Sequence, residues 1–197
     1  MEKINFNKNG DGLVPVIIQN DATLKVLMLG YMNEEAYEKS KKEGRVTFFS
    51  RTKQRLWTKG ETSGNFLDIV SMEIDCDNDT ILIRVTPKGA VCHTGTVSCF
   101  NDNKTEGFIR YLDEFIKIRR AEMPEGSYTT HLFNKGVNKL AQKVGEEAVE
   151  TVIEAIDNNN ERLLYEASDL VYHLIVLLRY KGFGIADIEK ELASRHK

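Results

Sequence analysis

The spacing of apolar residues along the chain changes near residue 103. Before that point, apolar positions come in short runs or at every second residue, the spacing of strands. Val14–Gln19 and Leu24–Tyr31 read as strands, and Val46–Ser50 and Arg55–Thr58 as two more. Asn33 stands where it can cap a short helix, Glu34–Glu43, which Gly44 ends. The clearest pattern is a hairpin. Val70, Met72 and Ile74 alternate with Ser71, Glu73 and Asp75; Ile81, Ile83 and Val85 alternate with Leu82, Arg84 and Thr86. The polar run Asp75-Cys76-Asp77-Asn78-Asp79 turns the chain between them.

A polar connector, Asn101–Gly107, follows, and beyond it the apolar spacing becomes helical. Helices are expected at about 107–122, 134–157, 160–181 and 185–195. Pro124-Glu125-Gly126-Ser127, Asp157-Asn158-Asn159-Asn160 and the pair Gly182 and Gly184 separate them. The pattern therefore predicts an α+β protein of two domains, β-rich over 1–103 and all-α over 104–197. No internal repeat or low-complexity segment is visible.

Composition narrows the class. A chain of 197 residues suits one large domain or two small ones. With 41% hydrophobic and 29% charged residues, it is neither collagen-like nor disordered. A net charge of −3 offers no global basic field for nucleic acid. Met1–Gly10 is polar, which argues against a secretory signal. The longest near-apolar run, Leu170–Leu178, is interrupted by His173 and too short to span a bilayer. Three cysteines at unequal spacing do not make a secreted disulfide framework. A cytoplasmic protein is expected, with its thiols reduced, metal-bound or simply buried.

Three clusters carry candidate chemistry. Asp75, Asp77 and Asp79 alternate through the hairpin turn, a spacing that suits one hard cation or a solvated acidic turn. Cys76, Cys92 and Cys99 all fall within residues 76–99. Three thiolates with one open position would make a catalytic zinc site, in which zinc acidifies a water; three unrelated buried thiols are the alternative. His93, next to Cys92, suits a fourth ligand, a general base or a core histidine. Residues 45–60 contain Arg45, Arg51, Lys53, Arg55 and Lys59 and no acidic residue. Trp57 sits among them, and Thr62-Ser63-Gly64-Asn65 follows. Cations for phosphate and an aromatic face for a base suit a phosphorylated ribonucleotide, and a solvated basic strand with a core tryptophan fits equally well.

The third cluster is helical. Glu146, Glu147, Glu150 and Glu154 fall within a sector of roughly 100° on a helical wheel. Ala148, Val149, Val152, Ile153 and Ile156 lie on the other side. Four like charges in one stripe repel unless a cation joins them. On the next helix Glu166 and Asp169 stand at i,i+3, with His173 further along the same side. Two antiparallel helices offering Glu147/Glu150 and Glu166/Asp169 would form a four-carboxylate magnesium site; a capped, solvated helix pair is the other possibility.

These residues resemble two families. The stretch Arg55–Asn65, then Asp75–Thr80, then Cys92-His93-Thr94-Gly95 and Ser98-Cys99-Phe100, resembles phosphoribosyl-AMP cyclohydrolase. Ser127-Tyr128-Thr129, Gln142–Glu150 and Glu166–His173 resemble phosphoribosyl-ATP pyrophosphohydrolase. Together they are similar to the family in which the two domains are fused for histidine biosynthesis. The resemblance implies that the C-terminal domain hydrolyses phosphoribosyl-ATP to phosphoribosyl-AMP and pyrophosphate. It implies that the N-terminal domain then opens the adenine ring at its N1–C6 bond. By the same resemblance Cys76, Cys92 and Cys99 are zinc ligands and Asp75, Asp77 and Asp79 magnesium ligands. His93 is the candidate general base. Arg51, Arg55, Trp57, Lys59, Thr62, Ser63, Gly64 and Asn65 are expected at the substrate. Glu146, Glu147, Glu150, Glu166 and Asp169 are the second metal site, with Glu147 and Glu150 in the ExxE frame. The family also implies an intertwined homodimer whose zinc site is assembled from both chains, with phosphoribosyl nucleotides as partners; the charge and the apolar run lengths point to no nucleic acid and no membrane.

Overall fold

The structure, a computed structural model, describes residues 4–100 and 107–196. Asn101–Glu106, and with them the expected boundary at 103, lie outside the described residues. The chain divides into two compact units, Met1–Phe108 and Ile109–Lys197.

The first unit is rich in strands: β1 (Val14–Asn20), β2 (Val26–Met32), β3 (Thr47–Ser50), β4 (Arg55–Thr58), β5 (Leu67–Ile74) and β6 (Ile81–Pro87), with α1 (Glu34–Glu43) after β2. Four strands form one sheet in the order β2-β1-β6-β5, and β3 and β4 form a separate ribbon. β1 runs antiparallel to β2 and parallel to β6. Alternate residues of β1 and β6 (Val14, Val16, Ile18, Ile81, Ile83 and Val85) are wholly buried, so the two-residue period sets the core face. α1 starts where Asn33 Oδ1 accepts the Ala36 N–H at 2.9 Å and stops at Gly44 in the left-handed region.

The hairpin β5–β6 forms with one correction. Its register shifts between Ile69 and Ser71, and Val70 is 53% exposed. The extra residue of the bulge leaves the ladder and points to solvent, so Ile69, with Met72 and Ile74, packs on the core instead.

The second unit contains α2 (Phe108–Glu122), α3 (Tyr128–Ile156), α4 (Asn160–Lys181) and α5 (Ile185–Arg195). Its core is Ile116, Leu132, Phe133, Leu140, Ile175 and Val176. Helix α3 begins six residues earlier than expected, because Ser127 caps it through the Thr130 N–H. Gly136, at φ 76° and ψ 177°, breaks it into two helical pieces, and the second piece carries the glutamates. A bidentate pair on the buried Asp113 ties α2 to the end of α4: Arg179 Nε and Nη2 each donate to Asp113 at 2.6 Å. Asp113 Oδ2 also accepts the Ile185 N–H at the start of α5.

The apolar side of α3 is not buried where expected. Val149, Val152, Ile153 and Ile156 are 49–72% exposed, while Glu147 on the acidic side is 5% exposed. In the packing of α3 on α4, Glu147 is covered, while Glu150 of the same stripe stays exposed. Among the described residues, no helix is long and apolar enough to cross a membrane.

Candidate active sites

In the strand unit, a pocket of about 330 Å³ is lined by Trp57, Lys59, Gly60, Thr62, Ser63, Asn65, Ala90, Cys92, His93 and Gly95. Ladder pairing places its aromatic wall. Trp57 pairs with Phe48 across β3–β4, and the rings lie 5.7 Å apart. Phe48 is buried in the core, so the tryptophan is held in place. The Lys59 ammonium lies 5.9 Å from the Trp57 ring centre on a mostly buried stem. Gly60 has φ +92°, and a Cβ there would sit 2.5 Å from the Asn65 backbone. Only glycine lets the loop close so tightly. Asn65 Nδ2 donates to the Ala90 carbonyl, joining that loop to the segment that carries Cys92.

Cys92 and Cys99 are brought together by their loop. Cys92 N–H donates to Thr96 O, and Gly95 N–H to Cys92 O. Ser98 Oγ donates to Val26 O and Cys99 N–H to Leu27 O, so β2 anchors the second cysteine. The Thr94 hydroxyl donates to Cys92 Sγ at 3.1 Å and pulls that thiol down to about 6, so it is largely thiolate at neutral pH. Burial, and next the neighbouring Cys92, push the Cys99 thiol up. His93 Nδ1 lies 3.7 Å from Cys92 Sγ. Cys76 is exposed in the hairpin turn and joins no three-ligand group among the described residues of the single chain.

Asp75, Asp77 and Asp79 do converge, with one carboxylate oxygen of each within 4.8 Å of the others. The turn enforces this: Asn78 takes φ 62°, and Asp75 Oδ1 accepts both the Asp79 and Thr80 N–H at 3.0 Å. Burial would raise the Asp75 carboxyl, and the Thr80 and Asp79 N–H groups outweigh it, holding it below the usual range. Lys8 reaches the cluster, 2.5 Å from Asp77 and 2.8 Å from Asp79. Arg51 and Arg55 stand elsewhere. Arg51 stacks on Tyr31 at 3.7 Å and lines a separate pocket with Asp11 and Gln54. Arg55 pairs with Glu61 at 2.6 Å. Gly64 turns the loop at φ +77°.

In the helical unit, Glu147 and Glu150 of α3 meet Glu166 of α4 within the same 4.8 Å. Glu166 is 3% exposed, and burial pushes its carboxyl up despite Arg162 Nη2 at 2.5 Å. Lys143 bridges Glu146 at 3.0 Å and Glu147 at 3.1 Å. Glu146 stays outside the triad, pulled down by Lys143 and Gln142. Asp169 is also outside it, although its charge reaches His173. His173 is buried with Nε2 3.8 Å from Glu147 Oε1, and burial pulls it below the ordinary histidine value. Sequence reasoning did not single out Thr94, Lys143 or Arg162. Their position two residues after Cys92, or four before a clustered glutamate, was the available signal.

The donor sets fit two kinds of ion. Three converging carboxylates are hard donors that suit magnesium, and thiolates suit zinc. A strand unit with a nucleotide-sized pocket walled by Cys92 and a helical unit with a part-buried carboxylate triad define a two-domain hydrolase. Comparison with known proteins agrees. The family model for phosphoribosyl-AMP cyclohydrolase matches residues 28–101, and that for phosphoribosyl-ATP pyrophosphohydrolase matches residues 109–196. A histidine biosynthesis bifunctional protein HisIE from Bacteroides thetaiotaomicron is 60% identical over 98% of this chain and 96% of its own length. Its namesakes from Xanthomonas campestris and Vibrio vulnificus are 52% and 47% identical over the whole chain and 95% and 94% of theirs. The chain belongs to the HisIE family of bifunctional histidine biosynthesis proteins.

Proposed function

We propose that the helical unit hydrolyses phosphoribosyl-ATP to phosphoribosyl-AMP and pyrophosphate, and that the strand unit then opens the adenine ring of that product at N1–C6. The observation that carries this reading is the pocket that puts Trp57, Lys59, Thr62, Ser63 and Asn65 beside Cys92 and His93. The indole offers a face for the purine. Lys59 supplies charge for phosphate, and the hydroxyls and amide supply hydrogen bonds to ribose. His93, exposed at the pocket wall, takes the proton of the attacking water. Arg51 and Arg55, outside the pocket, remain candidates for the outer parts of the substrate.

In this reading Cys76, Cys92 and Cys99 hold zinc, and Asp75, Asp77 and Asp79 hold magnesium. Glu147, Glu150 and Glu166, with Glu146 and Asp169 beside them, hold the magnesium of the helical site. When bound, zinc supplies an acidified water and magnesium neutralises the polyphosphate. A homodimer completes the zinc site, with Cys76 supplied by the other copy. Two observations support it: Cys76 stands apart from the Cys92–Cys99 pair, and apolar residues of α3, with Leu164 and Tyr165 of α4, are left exposed. Three free thiols fit a reducing, cytoplasmic setting.

The test is incubation of the purified chain with phosphoribosyl-ATP, with and without EDTA, following pyrophosphate and ring-opening absorbance together. Both signals are expected, pyrophosphate first, and both should disappear with EDTA. Pyrophosphate without ring opening would leave a plain nucleotide pyrophosphohydrolase.

A further inference from the structure

His173 is 5% exposed, and its Nδ1 is buried with no hydrogen-bond partner among the described residues. An apolar side chain of similar shape would fill this place without stranding a ring nitrogen. The ring is not loose. It meets Tyr172 edge-on at 5.3 Å and Tyr128 at 6.4 Å, and the Tyr172 hydroxyl shares a 2.8 Å hydrogen bond with Thr129. This setting turns Nε2 across the α3–α4 interface towards Glu147 Oε1, at 3.8 Å. Lys143 contacts the same oxygen at 3.1 Å.

We propose that His173 is a positioning residue whose Nε2–H holds the Glu147 carboxylate in place for a divalent cation bound by Glu147, Glu150 and Glu166; this rests on the metal reading of that triad. Whether the ring carries one proton or two, the nitrogen facing the carboxylate is the one that gains by holding a proton. A cation on the triad opposes the neighbouring Lys143 ammonium. His173 is then the donor that keeps Glu147 from swinging away. Such partners of metal ligands typically govern affinity by about 10–100-fold.

The test is calorimetric titration of Mn²⁺ into the full chain. The binding lost in Glu150→Gln belongs to the helical triad. His173→Leu should weaken that component by about 10–100-fold, with the 222 nm helical signal retained. His173→Gln, which can present an amide N–H near the place of Nε2–H, should recover most of it, and His173→Asn, too short, should not. If His173→Leu does not fold, the Gln and Asn variants still decide the matter: equal affinity in those two overturns the proposal. So does wild-type affinity in a folded His173→Leu. If wild type and Glu150→Gln bind Mn²⁺ identically, the metal reading of the triad falls, and the role of His173 falls with it.

Discussion

The two acidic triads are built in opposite ways. Asp75, Asp77 and Asp79 come from five consecutive residues of one turn, and Asp77 is exposed. Their convergence is local, set by one left-handed residue and two backbone N–H groups. Glu147, Glu150 and Glu166 come from two helices, and two of the three are buried. Their convergence needs the whole packing of α3 on α4. A local cluster survives loosening of its domain, whereas a cluster assembled across an interface is only as sound as that interface. Burial also changes the electrostatics: it raises the Glu166 carboxyl, while the turn's N–H groups lower Asp75.

The largest effects should come from removing a donor on either side. Glu150→Gln should cut pyrophosphate release by at least about 100-fold, since losing a ligand exceeds losing a ligand's own partner. It should still convert supplied phosphoribosyl-AMP. Cys92→Ser should do the reverse, abolishing ring opening and accumulating phosphoribosyl-AMP. Each is measured by following pyrophosphate and absorbance separately. Loss of both activities in either variant would mean that the two sites are not independent.

Asp113→Ala tests whether the helical triad alone depends on long-range packing. It leaves the half-buried Arg179 without its partner, at a cost of about 1–3 kcal/mol. Trp57 is the single tryptophan and lies in the strand unit, so its fluorescence reports that unit while the 222 nm signal reports mostly helices. In urea the 222 nm transition should move to lower denaturant and the fluorescence transition should not. A matched shift in both would show the units unfolding as one.

Gly60→Ala should destabilise the strand unit by on the order of 1–3 kcal/mol, because a Cβ at φ +92° meets the Asn65 backbone at 2.5 Å. The fluorescence transition should move, with ring opening impaired and pyrophosphate release intact. The smallest effect is expected from Asn33→Ala, which removes the α1 cap and costs about 1 kcal/mol. It is read in the fluorescence transition, with both activities kept. A large loss of ring opening there would give α1 a role at the pocket.

Much of this molecule was legible in its residues. Strand and helix periods placed every element to within a few residues, except the first piece of α3, because a serine cap and a glycine break lie outside any periodic signal. The aspartate triad was readable for the same reason that it is local. The helical wheel put Glu146, Glu147, Glu150 and Glu154 in one stripe, and of these Glu147 and Glu150 are the two that meet Glu166. What the wheel could not tell was which side faces inward. A stripe of Val149, Val152, Ile153 and Ile156 reads as core in an isolated helix, yet in the structure that stripe is exposed and Glu147 is covered. The bulge that expels Val70 depends on the partner strand's register, which no single strand encodes. The meeting of Trp57 with Cys92, 35 positions apart, likewise came from ladder pairing and the Asn65–Ala90 hydrogen bond. Periodicity and turn chemistry are properties of neighbours along the chain, so the elements and the local clusters follow from the order of residues alone. Which faces meet, and so which charges are buried together, depends on contacts between distant segments, which exist only once the chain has folded.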